Sequence, residues 1–87
     1  MKFEYDPTKS KINAKKHGIS FDQAKLLWKD ERHIVVPARS ITEKREAIVA
    51  ELKGIAWTAI YTTRGKAIRI ISVRRSRDEE REEYNNR

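Results

Sequence analysis

The 87-residue sequence contains no cysteine, only three glycines and two prolines, and no apolar run that approaches the length of a membrane span. The lack of cysteine excludes a disulfide framework, a thiol nucleophile and a thiolate zinc site. A bilayer span needs about 20 consecutive apolar residues, and the opening MKFEYDP has no apolar stretch typical of a secretory signal. A chain of this length builds one hydrophobic core. We therefore expect a single domain over residues 1–87, with no membrane contact and a cytoplasmic location.

Familiar catalytic and metal-binding motifs are missing as well. The sequence has no Gly-rich phosphate loop, no HExxH, no GxSxG and no paired-carboxylate motif. Its two histidines, His17 and His33, lie on different predicted elements and do not have the spacing of metal ligands. We therefore predict no cofactor and no built-in metal site, and the sequence argues against a serine-type hydrolase.

Positive charge, in contrast, is abundant and unevenly distributed. Lys and Arg together number 20 against 13 for Asp and Glu, which gives a net charge of +7. Residues 52–77 carry seven cations and no acid, whereas residues 78–87 carry five acids and two cations. A stretch without carboxylates creates a positive potential that attracts phosphate groups. The charge distribution therefore predicts a nucleic-acid partner, with one face of the domain as its binding surface.

The first third of the chain predicts a strand followed by two short helices. Alternating apolar residues over 2–5 indicate a half-buried strand. Asp6 is a typical N-cap in front of a proline at the first helical position, and Gly18 is a typical C-cap, so a helix is expected to end at His17. Ser20 and Gln23 form a capping-box pattern that opens a second helix.

From about residue 30 the pattern changes to that of strands and turns. A strand is expected to stop at Pro37, followed by a polar connection over 38–42. Three further strands are expected to form an antiparallel meander, over 45–51, 55–62 and 66–74. Ser76 and Glu79 repeat the capping-box pattern and open a final helix that ends near Tyr84. Helices grouped on one side of an antiparallel sheet predict an α+β two-layer domain.

Two segments resemble a known family. FEYDPTKSKINAKKHGISFDQA resembles the opening motif of the BrnT toxins, and YTTRGKAIRIISVRRSRDEEREEY is similar to their pattern Y-T-x-R…R-I-I-S-A-R…E-R-x-x-Y. Between them, Glu43 and Arg45 align with an E-x-R element. The resemblance implies a RelE-like fold and a ribonuclease that arrests translation. It also implies neutralisation by a BrnA-like antitoxin that binds DNA, so that this chain would reach DNA only through the antitoxin complex.

The residue types that remain suit cleavage of RNA through its own 2′-hydroxyl group. That reaction needs a base, cations that stabilise the charged five-coordinate phosphorus, and an acid for the leaving oxygen. Arg64 matches the arginine of Y-T-x-R and Arg74 that of S-A-R, and we expect both to stabilise the transition state. His17 or Glu43 would move protons. The sequence leaves open which of them does so, because His17 also suits the C-terminus of a helix and Glu43 could simply pair with a nearby arginine.

Further cations are expected to hold the RNA backbone, namely Lys16, Arg45, Lys66, Arg69 and Arg75. Because neighbouring residues of a strand point to opposite faces, only one of Arg74 and Arg75 can face the site, and we prefer Arg74. Arg69 interrupts an apolar strand, so it is either exposed on an open sheet face or buried with a partner. Trp28, Trp57 and Tyr61 are assigned to the core because they recur at apolar spacing.

The sequence thus predicts the toxin of a type II toxin–antitoxin module, acting as a metal-independent endoribonuclease on RNA. The alternative is a non-catalytic nucleic-acid-binding or repressor subunit that uses the same basic face. Composition does not separate the two, because binding and cleavage both require cations.

Overall fold

The computed structural model describes residues 1–39 and 43–86. Within these residues the secondary structure follows the expected order, with a 3₁₀ helix (Lys25–Lys29) directly after the second α-helix. The strands are β1 (Lys2–Glu4), β2 (Ile34–Ala38), β3 (Arg45–Leu52), β4 (Ile55–Arg64) and β5 (Ala67–Arg75). The α-helices are α1 (Pro7–His17), α2 (Phe21–Ala24) and α3 (Asp78–Asn85). No helix in this described part of the chain is long and apolar enough to cross a membrane.

The ends of α1 and the start of α2 are set by local capping, as predicted. The Asp6 carboxylate accepts a hydrogen bond from the Thr8 backbone N–H at 2.8 Å, which satisfies a donor that the first turn leaves unpaired. Gly18 adopts φ 81°, and its N–H donates to the last turn of α1. The Ser20 hydroxyl and the Gln23 side-chain carbonyl complete a capping box for α2.

The five strands form one mixed sheet in the order β1-β5-β4-β3-β2, which confirms the α+β class. Strands β2 to β5 are antiparallel neighbours, whereas β1 runs parallel to β5. The expected stop at Pro37 is wrong, because β2 continues through this residue to Ala38. β2 is an edge strand, where a proline can be tolerated because its missing N–H need not break a ladder hydrogen bond. Of the expected polar connection over 38–42, residues 40–42 lie outside the described residues.

The hydrophobic core lies between one face of the sheet and the segment α1–α2 with the following 3₁₀ helix. Alternate strand residues such as Ile48, Ala59 and Ile70 point to this face and pack against Phe21 and Leu27. The three aromatic residues expected in the core are there: Trp57 and Tyr61 are buried, and Trp28 packs edge-on against the Tyr61 ring at 5.2 Å between centroids. We call this side of the sheet the helical face and the opposite side the open face.

One edge of β5 is paired only in part, and α1 completes it. β1 pairs with Ala67 to Arg69 alone. Further along, the Asn13 amide accepts a hydrogen bond from the Val73 N–H at 3.2 Å and donates one to the Val73 carbonyl at 2.9 Å. Nearby, Ile71 is the extra residue of a β-bulge in β5, because the register passes from Ile60↔Ser72 to Tyr61↔Ile70. Asn13 therefore fixes α1 beside the bulged part of β5.

Helix α3 lies on the open face, in contrast to the expected grouping of the helices on one side. Its N-cap is Arg77 rather than Ser76, so the predicted capping box of Ser76 and Glu79 is wrong. The reason is tertiary: the buried Ser76 hydroxyl is hydrogen-bonded to the Thr58 hydroxyl at 2.8 Å. The Glu80 carboxylate instead accepts from the Arg77 N–H at 2.8 Å at the start of the helix.

Candidate functional site

The open face carries a depression of about 430 Å³ next to α3. Its lining includes small and aliphatic side chains from four strands, among them Ala47 and Ile60. Four arginines contribute to its lining, from the end of β2, from β3, from β5 and from the start of α3: Arg39, Arg45, Arg74 and Arg77. Among the described residues that line it, Glu80 is the one acid. We call this site the arginine depression.

Arg74 is held in the arginine depression by a two-pronged ion pair with Glu80. Its Nη1 donates to Oε1 at 2.8 Å and its Nη2 to Oε2 at 3.0 Å. Glu80 also accepts from the Thr58 hydroxyl at 3.0 Å and from the Arg77 backbone N–H. Burial alone would raise the pKa of Glu80, but these hydrogen bonds outweigh it and lower the pKa to about 2. Glu80 is therefore an ionised anchor and not a proton carrier near neutral pH.

The ion pair leaves part of the Arg74 guanidinium available. An arginine has five N–H donors in a planar fork, and Glu80 takes one from each terminal nitrogen. A longer bond of 3.3 Å joins Nη1 to the backbone carbonyl of Arg75. The Nε–H and the second Nη2–H then remain as a parallel pair of donors, which suits a phosphate. The side chain is 25% exposed, so solvent and ligands can reach it.

Arg45 and Glu43 form a second, weaker ion pair at the border of the same depression. The Arg45 Nε donates to Glu43 Oε1 at 3.1 Å. The side chains of Arg45 and Glu43 are 34% and 39% exposed. An exposed pair of this kind contributes about 0–1 kcal/mol. A phosphate group can therefore compete with the carboxylate for Arg45. The pairing that the sequence left open for Glu43 is observed, and it keeps the carboxylate beside the depression.

Three other predicted residues lie on or near the open face but do not line the depression. Arg69 is in register with Thr62 on one side and with Glu4 on the other. Arg64 ends β4, and Lys66 follows in the exposed turn before β5. Within the part of the chain that the structure describes, these cations form no ion pair. Arg69 thus lies half-buried on the open face, and it is not buried with an ion-pair partner among the described residues.

Lys16 and His17 lie at the end of α1, in a separate but adjoining cavity. This cavity, of about 220 Å³, is lined by both residues together with Ile71 and Ser72. The same two β5 residues also line the arginine depression. The end of α1 therefore borders the depression across the bulged edge of β5.

Arg75 is not brought to this site. It is in register with Trp57 on the helical face, and its guanidinium lies 5.8 Å from the centre of the Trp57 indole. The expectation that Arg74 and Arg75 point to opposite faces is confirmed. A cation over an aromatic face accounts for the position of Arg75 without any role in the arginine depression.

Arg81 and Tyr84, the last two matching positions of the E-R-x-x-Y pattern, hold α3 in place. The Arg81 guanidinium donates to the Ser76 carbonyl at 2.8 Å. The Tyr84 hydroxyl donates to Asp30 at 2.6 Å, and Asp30 also accepts from the Glu51 N–H at 2.9 Å. Burial and the Asp30 carboxylate raise the pKa of Tyr84 to about 12. Tyr84 is thus an anchor for α3 rather than a donor of protons to a ligand.

Several of these residues were missed by reasoning from sequence. Glu80 has a signal, because it is the glutamate of the E-R-x-x-Y pattern, but its partner Arg74 belongs to a different motif. Arg39 and Arg77 have no such signal and reach the depression only through the fold. No cluster of three or more His, Asp or Glu side chains that could hold a metal occurs within residues 1–39 and 43–86.

Comparison with known proteins identifies the family to which the chain belongs. The model of a family described as the ribonuclease toxin BrnT of type II toxin–antitoxin systems matches residues 5–80, which is most of the chain. No curated protein matches the sequence. The matched range includes β2 to β5, the residues described as lining the arginine depression, and Glu80 among them. The chain therefore belongs to the BrnT family of ribonuclease toxins of type II toxin–antitoxin systems.

Proposed function

We propose that this toxin is a metal-independent endoribonuclease whose scissile phosphate binds in the arginine depression. The observation that carries the proposal is the surplus of positive charge there: four arginines line an open depression with one acid, Glu80, among its described lining residues. Membership of a ribonuclease toxin family supports RNA as the target. The type of reaction expected from the sequence, cleavage of RNA through its own 2′-hydroxyl group, uses such cations together with a base and an acid.

The reaction is a transfer within the RNA itself. The 2′-oxygen attacks the adjacent phosphorus as its proton is removed, and the bond from phosphorus to the 5′-oxygen breaks as that oxygen is protonated. The products are a 2′,3′-cyclic phosphate and a 5′-hydroxyl end. Arg74, with its two remaining donors, would bind the non-bridging oxygens and stabilise the five-coordinate phosphorus, and Arg45 would assist. Because the nucleophile comes from the substrate and the guanidinium groups supply the positive charge, no metal ion is required.

Two groups are suited to move the protons, one on each side of the depression. Glu43 is bonded to Arg45 on the β3 side, and His17 lies on the α1 side beyond Ser72. In-line displacement places the attacking and leaving oxygens on opposite sides of phosphorus, so a base and an acid on opposite sides suit it. We propose that one accepts the 2′-proton and the other protonates the leaving oxygen.

The flanking RNA would be held by the unpaired cations of the open face. Arg64, Lys66 and Arg69 form no ion pair with described residues and lie beyond the depression along β4 and β5. Arg64 was expected to contact the transition state, and its position at the end of β4 favours the RNA backbone instead. Arg75 lies on the opposite face, and we assign it no contact with RNA.

The biological role follows from the family. A type II toxin is paired with an antitoxin protein. We propose that the antitoxin is BrnA-like, that the toxin acts on RNA in the cytoplasm and thereby inhibits translation, and that any contact with DNA is made through the antitoxin complex.

The proposal is tested by incubating the purified protein with single-stranded RNA in EDTA and identifying the new ends. We expect 5′-hydroxyl and 2′,3′-cyclic phosphate ends, and no cleavage of a matched strand with 2′-deoxynucleotides. Loss of cleavage in EDTA would contradict the metal-independent mechanism. Salt-dependent binding without any cleavage would instead favour the non-catalytic nucleic-acid-binding subunit.

A further inference from the structure

Helix α1 carries four lysines and no acidic residue between Pro7 and His17. One of them, Lys9, lies in the first turn. The helix dipole favours negative charge in the first turn, so a lysine there does not serve the stability of the helix. The dipole therefore favours Lys15 and Lys16 in the last turn but does not account for Lys9.

The four lysines divide between two sides of α1. Lys9 and Lys16 are separated by two turns and share one side of the helix with Ile12 and Asn13. These four residues line the cavity of about 220 Å³ against β5. The other two lysines, Lys11 and Lys15, point away from that cavity by the same periodicity and are exposed.

The Lys9–Lys16 side of α1 is continuous with the arginine depression. The two cavities share Ile71 and Ser72 as lining residues. The hydrogen bonds of Asn13 to both backbone groups of Val73 fix α1 at that point. Lys9 and Lys16 therefore stand at set positions relative to the arginines across the β5 edge.

Among the described residues of this path, no Phe, Tyr or Trp ring offers a base a stacking surface, because Phe21, which lines the cavity, is buried. All seven aromatic residues belong to the described chain. Six of them form or pack against the core on the helical face, and Tyr84 is buried against Asp30. Single-stranded nucleic acids are bound through backbone charges and base stacking. The half-buried His17 imidazole is then the one ring that a base could reach among the residues described as lining the cavity, so the phosphates are the main groups that this path can recognise.

We propose that Lys9 and Lys16 form a second RNA-binding subsite, which holds the phosphodiester backbone where single-stranded RNA leaves the arginine depression over the bulged edge of β5. The proposal rests on the proposed function for the position of the scissile phosphate. The contribution of α1 to binding then depends on the length of the RNA and hardly on the RNA sequence.

The test compares two double variants with the same change of charge. Lys9→Ala/Lys16→Ala alters the side of α1 that faces β5, and Lys11→Ala/Lys15→Ala alters the opposite side. Each is titrated in EDTA with non-cleavable 2′-deoxy-substituted RNA of about 4 and about 12 nucleotides, lengths that fall within and beyond a single small site. Thermal unfolding confirms that both variants remain folded.

We expect Lys9→Ala/Lys16→Ala to weaken binding of the longer RNA about tenfold and to reduce its salt slope by about 1.4, the value for two phosphate contacts on a single strand. The shorter RNA should bind within about twofold of wild type, and Lys11→Ala/Lys15→Ala should change either affinity by less than about threefold. Equal losses in the two double variants, or equal losses for both RNA lengths, would overturn the subsite. If cleavable RNA is bound with this pattern but never cut, the proposed nuclease activity fails while the subsite stands.

Discussion

The two ends of the open face are formed by the same strands but differ in whether their cations are held by ion pairs. At the end beneath α3, Arg74 is fixed by Glu80, which is itself bonded to Thr58 and to the start of the helix. At the other end, Arg69 and Lys66 form no ion pair with any described residue. A fixed guanidinium is preorganised for a single phosphate, whereas exposed cations provide binding without exact geometry. The comparison separates a cation suited to catalysis from cations suited to holding RNA.

The largest effect is expected from Glu80→Gln, which removes the ion pair with Arg74 at the end of the open face beneath α3. The amide keeps the shape but leaves the charge of Arg74 partly buried without its partner. The lowered pKa of Glu80 corresponds to roughly 3 kcal/mol of stability near neutral pH, and we expect about that loss in the free energy of unfolding measured with urea. Glu79→Gln, at the exposed neighbouring residue, is the matched control and should change stability by less than about 0.5 kcal/mol. Similar losses in both variants would show that the pair is not what holds α3.

The same pair predicts how stability depends on pH. The pKa of Glu80 is lowered from 4.5 to about 2 by folding. Its contribution is therefore fully present above about pH 4.5 to 5 and is lost as the pH falls towards 2. We expect the stability difference between wild type and Glu80→Gln to shrink over this range when urea unfolding is repeated from pH 7 to pH 2.5. A difference that stayed constant down to pH 3 would contradict the assigned pKa.

A smaller effect is expected at the far end of α3, from Tyr84→Phe. The variant removes the hydrogen bond to the Asp30 carboxylate at 2.6 Å, and a bond to a charged group is worth about 1.5–3 kcal/mol. We expect a loss of about 2 kcal/mol in urea unfolding. Tyr5→Phe removes a longer, exposed bond of 3.4 Å to Asp22 and should cost less than about 0.5 kcal/mol. If Tyr84→Phe cost no more than this control, Tyr84 would not be an anchor for α3.

The smallest effect is expected from Lys66→Ala, at the end of the open face away from α3, which we call the uncovered end. Removal of one exposed cation should leave unfolding unchanged and weaken RNA binding by about threefold, with a salt slope reduced by about 0.7. Lys29→Ala makes the same change of charge on the side of the domain that carries the 3₁₀ helix. We expect this control to bind RNA with the wild-type salt slope. Identical slopes for the two variants would remove the basis for a binding role of the uncovered end.

The parts of the fold that were predictable depend on residues close together in the sequence. Asp6 and Gly18 cap α1 through bonds to residues within four positions of them. The opposite directions of Arg74 and Arg75 follow from strand alternation alone. In each of these examples the deciding interaction lies within one element and its immediate neighbours, so a local pattern was sufficient.

The parts that were not predictable depend on sheet order and on tertiary competition. Pro37 is tolerated in β2 because that strand lies at the edge, and edge position is known only once the order of the strands is known. Ser76 is not the N-cap of α3 because its hydroxyl is taken by Thr58, 18 residues earlier. The same holds for the site. The sequence predicted the basic face, but it did not predict that Glu80 anchors Arg74, because these two residues belong to separate motifs that meet only in the fold.

The most direct test of the central role of Arg74 is the single-turnover cleavage rate in EDTA at saturating RNA for Arg74→Lys and Arg75→Lys. Both substitutions preserve the positive charge, but only the first removes a guanidinium fork from the arginine depression. We expect the rate to fall about 100-fold or more for Arg74→Lys and to stay within about threefold of wild type for Arg75→Lys. A near-normal rate for Arg74→Lys, in protein shown by unfolding to be native, would contradict the central role of Arg74.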